Sequence, residues 1–173
     1  MKKLYLLILV LISCNNSQEI TDKAHYQFED EINRYNYLDK EHDLAYVYDF
    51  EKLLSKNEVK KIKSRLKNSQ AKAGITGVII IENDMNAKDF DRQIKMLNGI
   101  FKKKYNLNKV YVLKINSQTR QIGIATDKEL IRQIPDSISM KLIKQTLIPY
   151  FRNRQFSKGI IRSIEQIDSL SQI

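Results

Sequence analysis

Residues 75–82 read ITGVIIIE. Six of these eight residues are β-branched and no polar residue alternates with them until Glu82, so neither side of the run is left for water. A strand of this kind is buried on both faces, and helices packed on both sides of a sheet bury it that way. The run is flanked accordingly. Gly74, just before it, supplies a left-handed stop for a preceding helix. That helix carries Leu54, Val59, Ile62 and Leu66 at helical spacing and opens with Ser55-Lys-Asn-Glu58, the pattern of a capping box. On the other side, residues 89–105 return to helical spacing, with Phe90, Ile94, Leu97 and Phe101 on one stripe. Lys102, Lys103 and Lys104 stand near its C-terminal end, where cations favour the helix dipole. Two further strands follow, Lys109–Ile115 and Arg120–Thr126, joined by a hairpin loop at Asn116–Thr119. Two helices close the chain. The first runs from Ile138 to Leu147 and is stopped by Pro149, and the second, Ser157–Leu170, puts Ile160, Ile161, Ile164 and Ile167 on an apolar face. This order predicts an α/β fold, a sandwich around a small central mixed sheet. No segment repeats, and no second folded domain fits.

Outside that body the chain changes character. It has 173 residues, a net charge of +10 and one cysteine. Lys2 and Lys3 precede an apolar run over residues 4–12, and Ser13 and Cys14 end it. At roughly 10 residues the run is too short to span a bilayer, which takes about 20 as a helix, so it reads as a secretory signal. Leu11-Ile-Ser-Cys14 further resembles a bacterial lipobox: cleavage falls before Cys14, whose sulfur and new amino group carry acyl chains. The alternative is an ordinary signal peptide with an incidental cysteine. With no second cysteine there is no intramolecular disulfide.

The organisation that follows is a lipoprotein signal peptide over residues 1–13, an acidic tether over 14–44 with a lipid at Cys14, and one domain over 45–173. Residues 15–44 hold eight acids against Lys23, Arg34 and Lys40. Setting these and the two signal lysines aside leaves +13 on residues 45–173. Tyr26, Phe28, Tyr35 and Tyr37 interleave with the acids, so a short helix competes with an extended tether over 24–38.

In the cytoplasm such a basic body would suggest nucleic acid. Beyond the inner membrane the partners are anionic lipid headgroups, acidic glycans or an acidic protein, and no nucleic acid is expected. Lys102, Lys103, Lys104, Arg152, Arg154, Lys158 and Arg162 make up the candidate basic surface. A lysine-rich surface that does no more than keep the protein solvated is the competing explanation.

Residues 47–66, 74–82, 108–126 and 134–160, in that order and spacing, resemble the TPM domain. The resemblance spans about residues 44–167. It implies a three-layer α/β/α sandwich, a cell-envelope setting and, in some members, divalent-cation binding with phosphatase activity. Residue by residue the match is uneven. Asp49 matches an aspartate of the family, and Asp136 matches the aspartate of a Leu-Thr-Asp triplet. The family's glycine-rich turn, Gly-Tyr-Gly-x-Glu, falls on Asp127, Lys128, Glu129, Leu130 and Ile131, so both glycines and the glutamate are replaced. A Trp-Gly-Ile-Gly stretch falls on Phe101-Lys-Lys-Lys104, and another glycine falls on Arg154.

The resemblance therefore names Asp49 and Asp136 as candidate ligands for Ca²⁺ or Mg²⁺, with Asp84, Asp127 and Glu129 as further carboxylates. A hard cation of this kind takes 6–8 oxygens if it is calcium. Each residue also has a plainer role, Asp49 in a turn and Asp136 as a helix N-cap. Other chemistries lack their parts. There is no Gly-x-Ser-x-Gly, phosphate loop or dinucleotide fingerprint, and His25 and His42 lie in the tether with no zinc-site spacing. The expected function is a lipid-anchored envelope module that makes contacts, without catalysis or a cofactor, at an outer membrane facing the periplasm. The alternative is a divalent-cation-dependent, phosphatase-like hydrolase.

Overall fold

The ITGVIIIE run forms a strand buried along its whole length, Thr76–Glu82 (β2). The computed structural model describes residues 46–83 and 89–171, all within one compact unit, His42–Ile173. Cys14, His25, His42, Asp84 and the segment over 24–38 lie outside the described residues. β2 sits between Tyr46–Asp49 (β1) and Val110–Asn116 (β3), parallel to both, and Gln121–Thr126 (β4) pairs antiparallel on the outer side of β3. The result is a four-stranded mixed sheet in the order β1-β2-β3-β4.

Helices cover both faces, as the continuous apolar run demands. Lys56–Ala73 (α1) starts on the reciprocal Ser55–Glu58 box and ends on Gly74 at φ +65°. Its Ile62 and Leu66 join Ile79, Ile81, Tyr111 and Leu113 in the larger core layer. Phe156–Leu170 (α5) enters that layer through Ile160, Ile164 and Ile167. Phe90–Lys104 (α2) lies on the opposite face, where Ile94 and Phe90 crowd the backbone of Gly123 closely enough to leave no room for a β-carbon. Ile79, Ile80 and Ile81 are fully buried between these layers, each contributing about 1.5–3 kcal/mol of apolar burial.

The connections β1-α1-β2 and β2-α2-β3 step the same way across the sheet, yet α1 and α2 lie on opposite faces. One of the two crossovers is therefore left-handed, against the strong right-handed preference of such units.

Three expectations need correction. β1 does not figure in the sequence reading, because four residues are too few for a period and its pairing is with a segment thirty residues on; Tyr46 and Tyr48 anchor it by ring contacts to Phe101 at 5.5 and 5.9 Å. The hairpin turn covers 117–120, one residue later than expected, and Asn116 Oδ1 accepts from Thr119 N at 3.1 Å to close it. Pro149 does not stop the penultimate helix. Asp136–Leu142 (α3) passes through a π-helical turn, Ile143–Leu147, into Ile148–Arg152 (α4). The wider turn bonds Ile148 N to Ile143 O, and Pro149 falls at the start of α4, where its missing N–H is not needed.

The face under α2 also holds a buried ion pair. Lys114 Nζ lies 2.7 Å from Glu82 Oε1 and 2.7 Å from Gln93 Oε1, over the ring of Phe90, with its side chain fully buried. Removing one charge of a buried pair strands the other. Glu82→Gln should thus lower stability in urea unfolding by about 3–5 kcal/mol, and adding Lys114→Met should restore much of the loss. A single variant as stable as the wild type would show that the pair is not desolvated.

Candidate functional site

The turn after β4, where the resemblance places a glycine-rich ligand loop, is built in a different way. Leu130 and Ile134, both fully buried, anchor it to the core. Ile131 N bonds Asp127 O at 2.9 Å and Ile134 N bonds Leu130 O at 2.8 Å, so the segment coils helically. No residue from 127 to 134 has positive φ, and the loss of glycine is accommodated without strain.

Asp127 organises this turn. Its Oδ1 accepts from Glu129 N at 3.2 Å and Leu130 N at 3.0 Å. Its Oδ2 lies 2.8 Å from Lys102 Nζ, which also donates to Glu129 Oε2. The Asp127 side chain is 3% exposed. Because β4 runs back antiparallel, Asp127 arrives at the end of the sheet where β3 begins, next to the last turn of α2 that carries Lys102. The lysine stands where the resemblance has a glycine, and the acids stand where it has the turn. Burial works against the Lys102 ammonium, but its hydrogen bonds to Asp127 and Glu129 outweigh that and hold its pKa above the usual value. The hydrogen bond from Lys102 lowers Glu129 to about 2.

The other candidate ligands are far from this turn. Asp49 ends β1 at the opposite end and opposite edge of the sheet. Both of its carboxylate oxygens are engaged, Oδ1 by Leu53 N at 3.1 Å and Oδ2 by Leu54 N at 2.8 Å, which aims the chain into α1. Asp136 is exposed on the first turn of α3, whose N-cap is Pro135, so the expected capping role is not its own. Among the described residues no group of three His, Cys, Asp or Glu side chains is placed to hold a metal ion. The Asp127–Glu129 donor set does not fit a divalent cation: two carboxylates already share one ammonium, where calcium would need 6–8 oxygens.

The seven basic residues do not share one surface. Lys102 is committed to the turn, and Lys103 and Lys104 end α2 on one side of the sheet. Arg152, Arg154, Lys158 and Arg162 belong to α4, α5 and the turn between them on the other side. All four are exposed, and Arg162 Nη1 pairs with Glu165 at 3.1 Å. Arg154, which falls where the resemblance has a glycine, has a left-handed φ of 57°, a conformation that favours glycine.

Two polar clusters do not figure in the sequence reading. The Lys114–Glu82 pair carried a signal, a charge in each of two largely apolar strands. Asp168 on α5 accepts from Ser69 Oγ and pairs with Arg65 of α1 at 3.2 Å; burial raises its pKa. Ninety-nine residues separate Ser69 from Asp168, and no local pattern links them.

With this geometry in view, the family model for the TPM domain matches residues 47–170. The chain belongs to the TPM domain family. Three solved structures share the fold of this TPM domain. The N-terminal domain of a protein from P. gingivalis is 15% identical with a TM-score of 0.62, covering 74% of this chain and 82% of that one. The N-terminal domain of cg2496 protein from Corynebacterium glutamicum gives 12% and 0.56, covering 76% and 82%. BA42 protein from Bizionia argentinensis gives 16% and 0.53, covering 70% and 83%. No curated protein is significantly similar in sequence. At these identities the structures speak for the fold alone, and family membership fixes fold more tightly than activity. Among the described residues no helix of this TPM domain is long and apolar enough to cross a membrane.

Replacing Lys102 tests the turn directly. In a carbon-detected titration Glu129 should have its midpoint at about 2 in the wild type. In Lys102→Met it should return to roughly 4.3, the ordinary glutamate value. A depressed folded pKa adds stability that is complete above the unfolded value and is lost as pH falls through the folded one. The stability advantage of wild type over variant should therefore close as pH drops from about 4.3 to about 2. An unchanged Glu129 midpoint would remove Lys102 from this account.

Proposed function

We propose that this TPM domain belongs to a lipid-anchored protein of the bacterial cell envelope and works by contact, without catalysis. The observation that carries the reading is the Lys102 ammonium held between Asp127 and Glu129. It supplies from within the chain the positive charge those carboxylates would otherwise attract, and Asp49 spends its oxygens on a turn. The turn in this chain takes no divalent cation.

Leu11-Ile-Ser-Cys14 supports acylation at Cys14, and Asn15, in place of the aspartate that retains many lipoproteins at the inner membrane, supports an address at the outer one, facing the periplasm. Two or more acyl chains hold where one is marginal, at about 0.8 kcal/mol per buried CH₂. The partner is an anionic envelope surface, met by Arg152, Arg154, Lys158 and Arg162. Lys158 and Arg162 lie four apart on α5 and so point the same way.

In cells the wild-type chain should stay in the membrane pellet through a high-salt wash, and Cys14→Ser should be released. The full Cys14→Ser chain should bind phosphatidylglycerol vesicles at low salt and lose them as salt rises. At about 1 kcal/mol per basic side chain, Lys158→Glu with Arg162→Glu should weaken that binding by at least roughly 30-fold. Equal binding to neutral phosphatidylcholine vesicles, or wild type washed off by salt, would overturn the proposal.

A further inference from the structure

We infer that the outer edge of β4 is a docking site for an extended segment of another polypeptide, which joins the sheet as a fifth strand. Asp127 N donates to Val110 O at 3.0 Å, which fixes the alternation of the β3–β4 ladder. Residues 121, 123 and 125 bond inward to β3, so the N–H and C=O groups of Ile122 and Ile124 point away from the sheet. Among the described residues none of these four groups has a hydrogen-bond partner.

Natural edges are usually blunted by charge, proline, a bulge or a covering helix or loop. β4 carries no charge, proline or bulge, and α3 flanks its edge without bonding to Ile122 or Ile124. The β4 sequence, QIGIAT, is uncharged and proline-free, and it pairs one-to-one with β3 over all six residues. The edge lies in a groove of about 160 Å³ with Ile94 of α2 on one side and Met140 of α3 on the other. Met140 is 49% exposed, a large apolar side chain left at the rim. Ser139, 4% exposed, lines the same groove, and its buried Oγ has no partner.

The occupant follows from the chemistry. Alternating donors and acceptors at two-residue spacing are matched by an extended backbone, as in β-augmentation, and side chains at every second position read the walls. Asp136 on the α3 wall favours a basic residue at one end of the apolar stretch, while on the α2 wall Asp91 stands beside Lys95. A second copy of the chain is the poorer fit, since its own α2 and α3 flank the same edge and meet these helices before the strands do. This site is separate from the basic residues of α4 and α5 and stands without them.

The test uses the full Cys14→Ser chain and a soluble heptapeptide of alternating threonine and valine with a lysine at each end. At millimolar peptide, amide exchange at Ile122 and Ile124 should slow by about tenfold or more, a population shift that 1.4 kcal/mol of binding brings about. The same peptide N-methylated at alternate amides should leave exchange unchanged, with the protein unaltered. Ile122→Pro removes an outward donor and no ladder bond at a half-buried position, so it should keep the fold and lose the protection. Unprotected amides, equal binding of the N-methylated peptide, or protection that depends on protein concentration without peptide would each overturn the assignment.

Discussion

Burial of β2 on both faces is the constraint from which the rest of the fold follows. A seven-residue strand with no exposed side needs a parallel neighbour on each edge and a helical layer above and below. Glu82 and Lys114, two charges buried in β2 and β3, satisfy each other, because neither could be buried alone at tolerable cost. The same demand for cover sets α1 and α5 on one face and α2 on the other, with one left-handed crossover to reach that arrangement. β4 then returns on the open edge of β3 and delivers Asp127 to the end of α2.

At that point chain geometry and charge meet. The family resemblance leads to the expectation of a loop in which glycines bring backbone close to a ligand. In this chain the loop is a helical turn with ordinary dihedral angles, and its carboxylates face a lysine from the adjacent helix. The substitutions at 102, 127 and 129 are mutually consistent. A lysine in place of a glycine would be an unpaired cation without the two acids, and the acids would repel each other without the lysine.

What the sequence makes legible is what local chemistry decides. The capping box at Ser55 and Glu58, the Gly74 stop, the stripe of Phe90, Ile94, Leu97 and Phe101, and the hairpin each depend on residues within a turn or two of each other. β1 is too short to announce itself, and its pairing depends on a strand beyond α1. The π-helical turn that carries the helix through Pro149 depends on packing against α5 instead of on any residue pattern. At the site, Asp49 could be read as a turn residue from its place before α1. The Lys102–Asp127–Glu129 cluster could not, since twenty-five residues and a strand reversal separate its members. Nor could the division of the basic residues between the two faces, which depends on where α2 and α5 pack.

The account rests on an internal ammonium taking the place of an external cation at this turn. Calorimetric titration of Ca²⁺ and Mg²⁺ into the full chain measures this most directly. The account predicts no saturable heat up to about 1 mM ion, the weak end of protein calcium sites. A one-site isotherm below that concentration, with the Asp127 and Glu129 carboxylate resonances shifting in step, would contradict it.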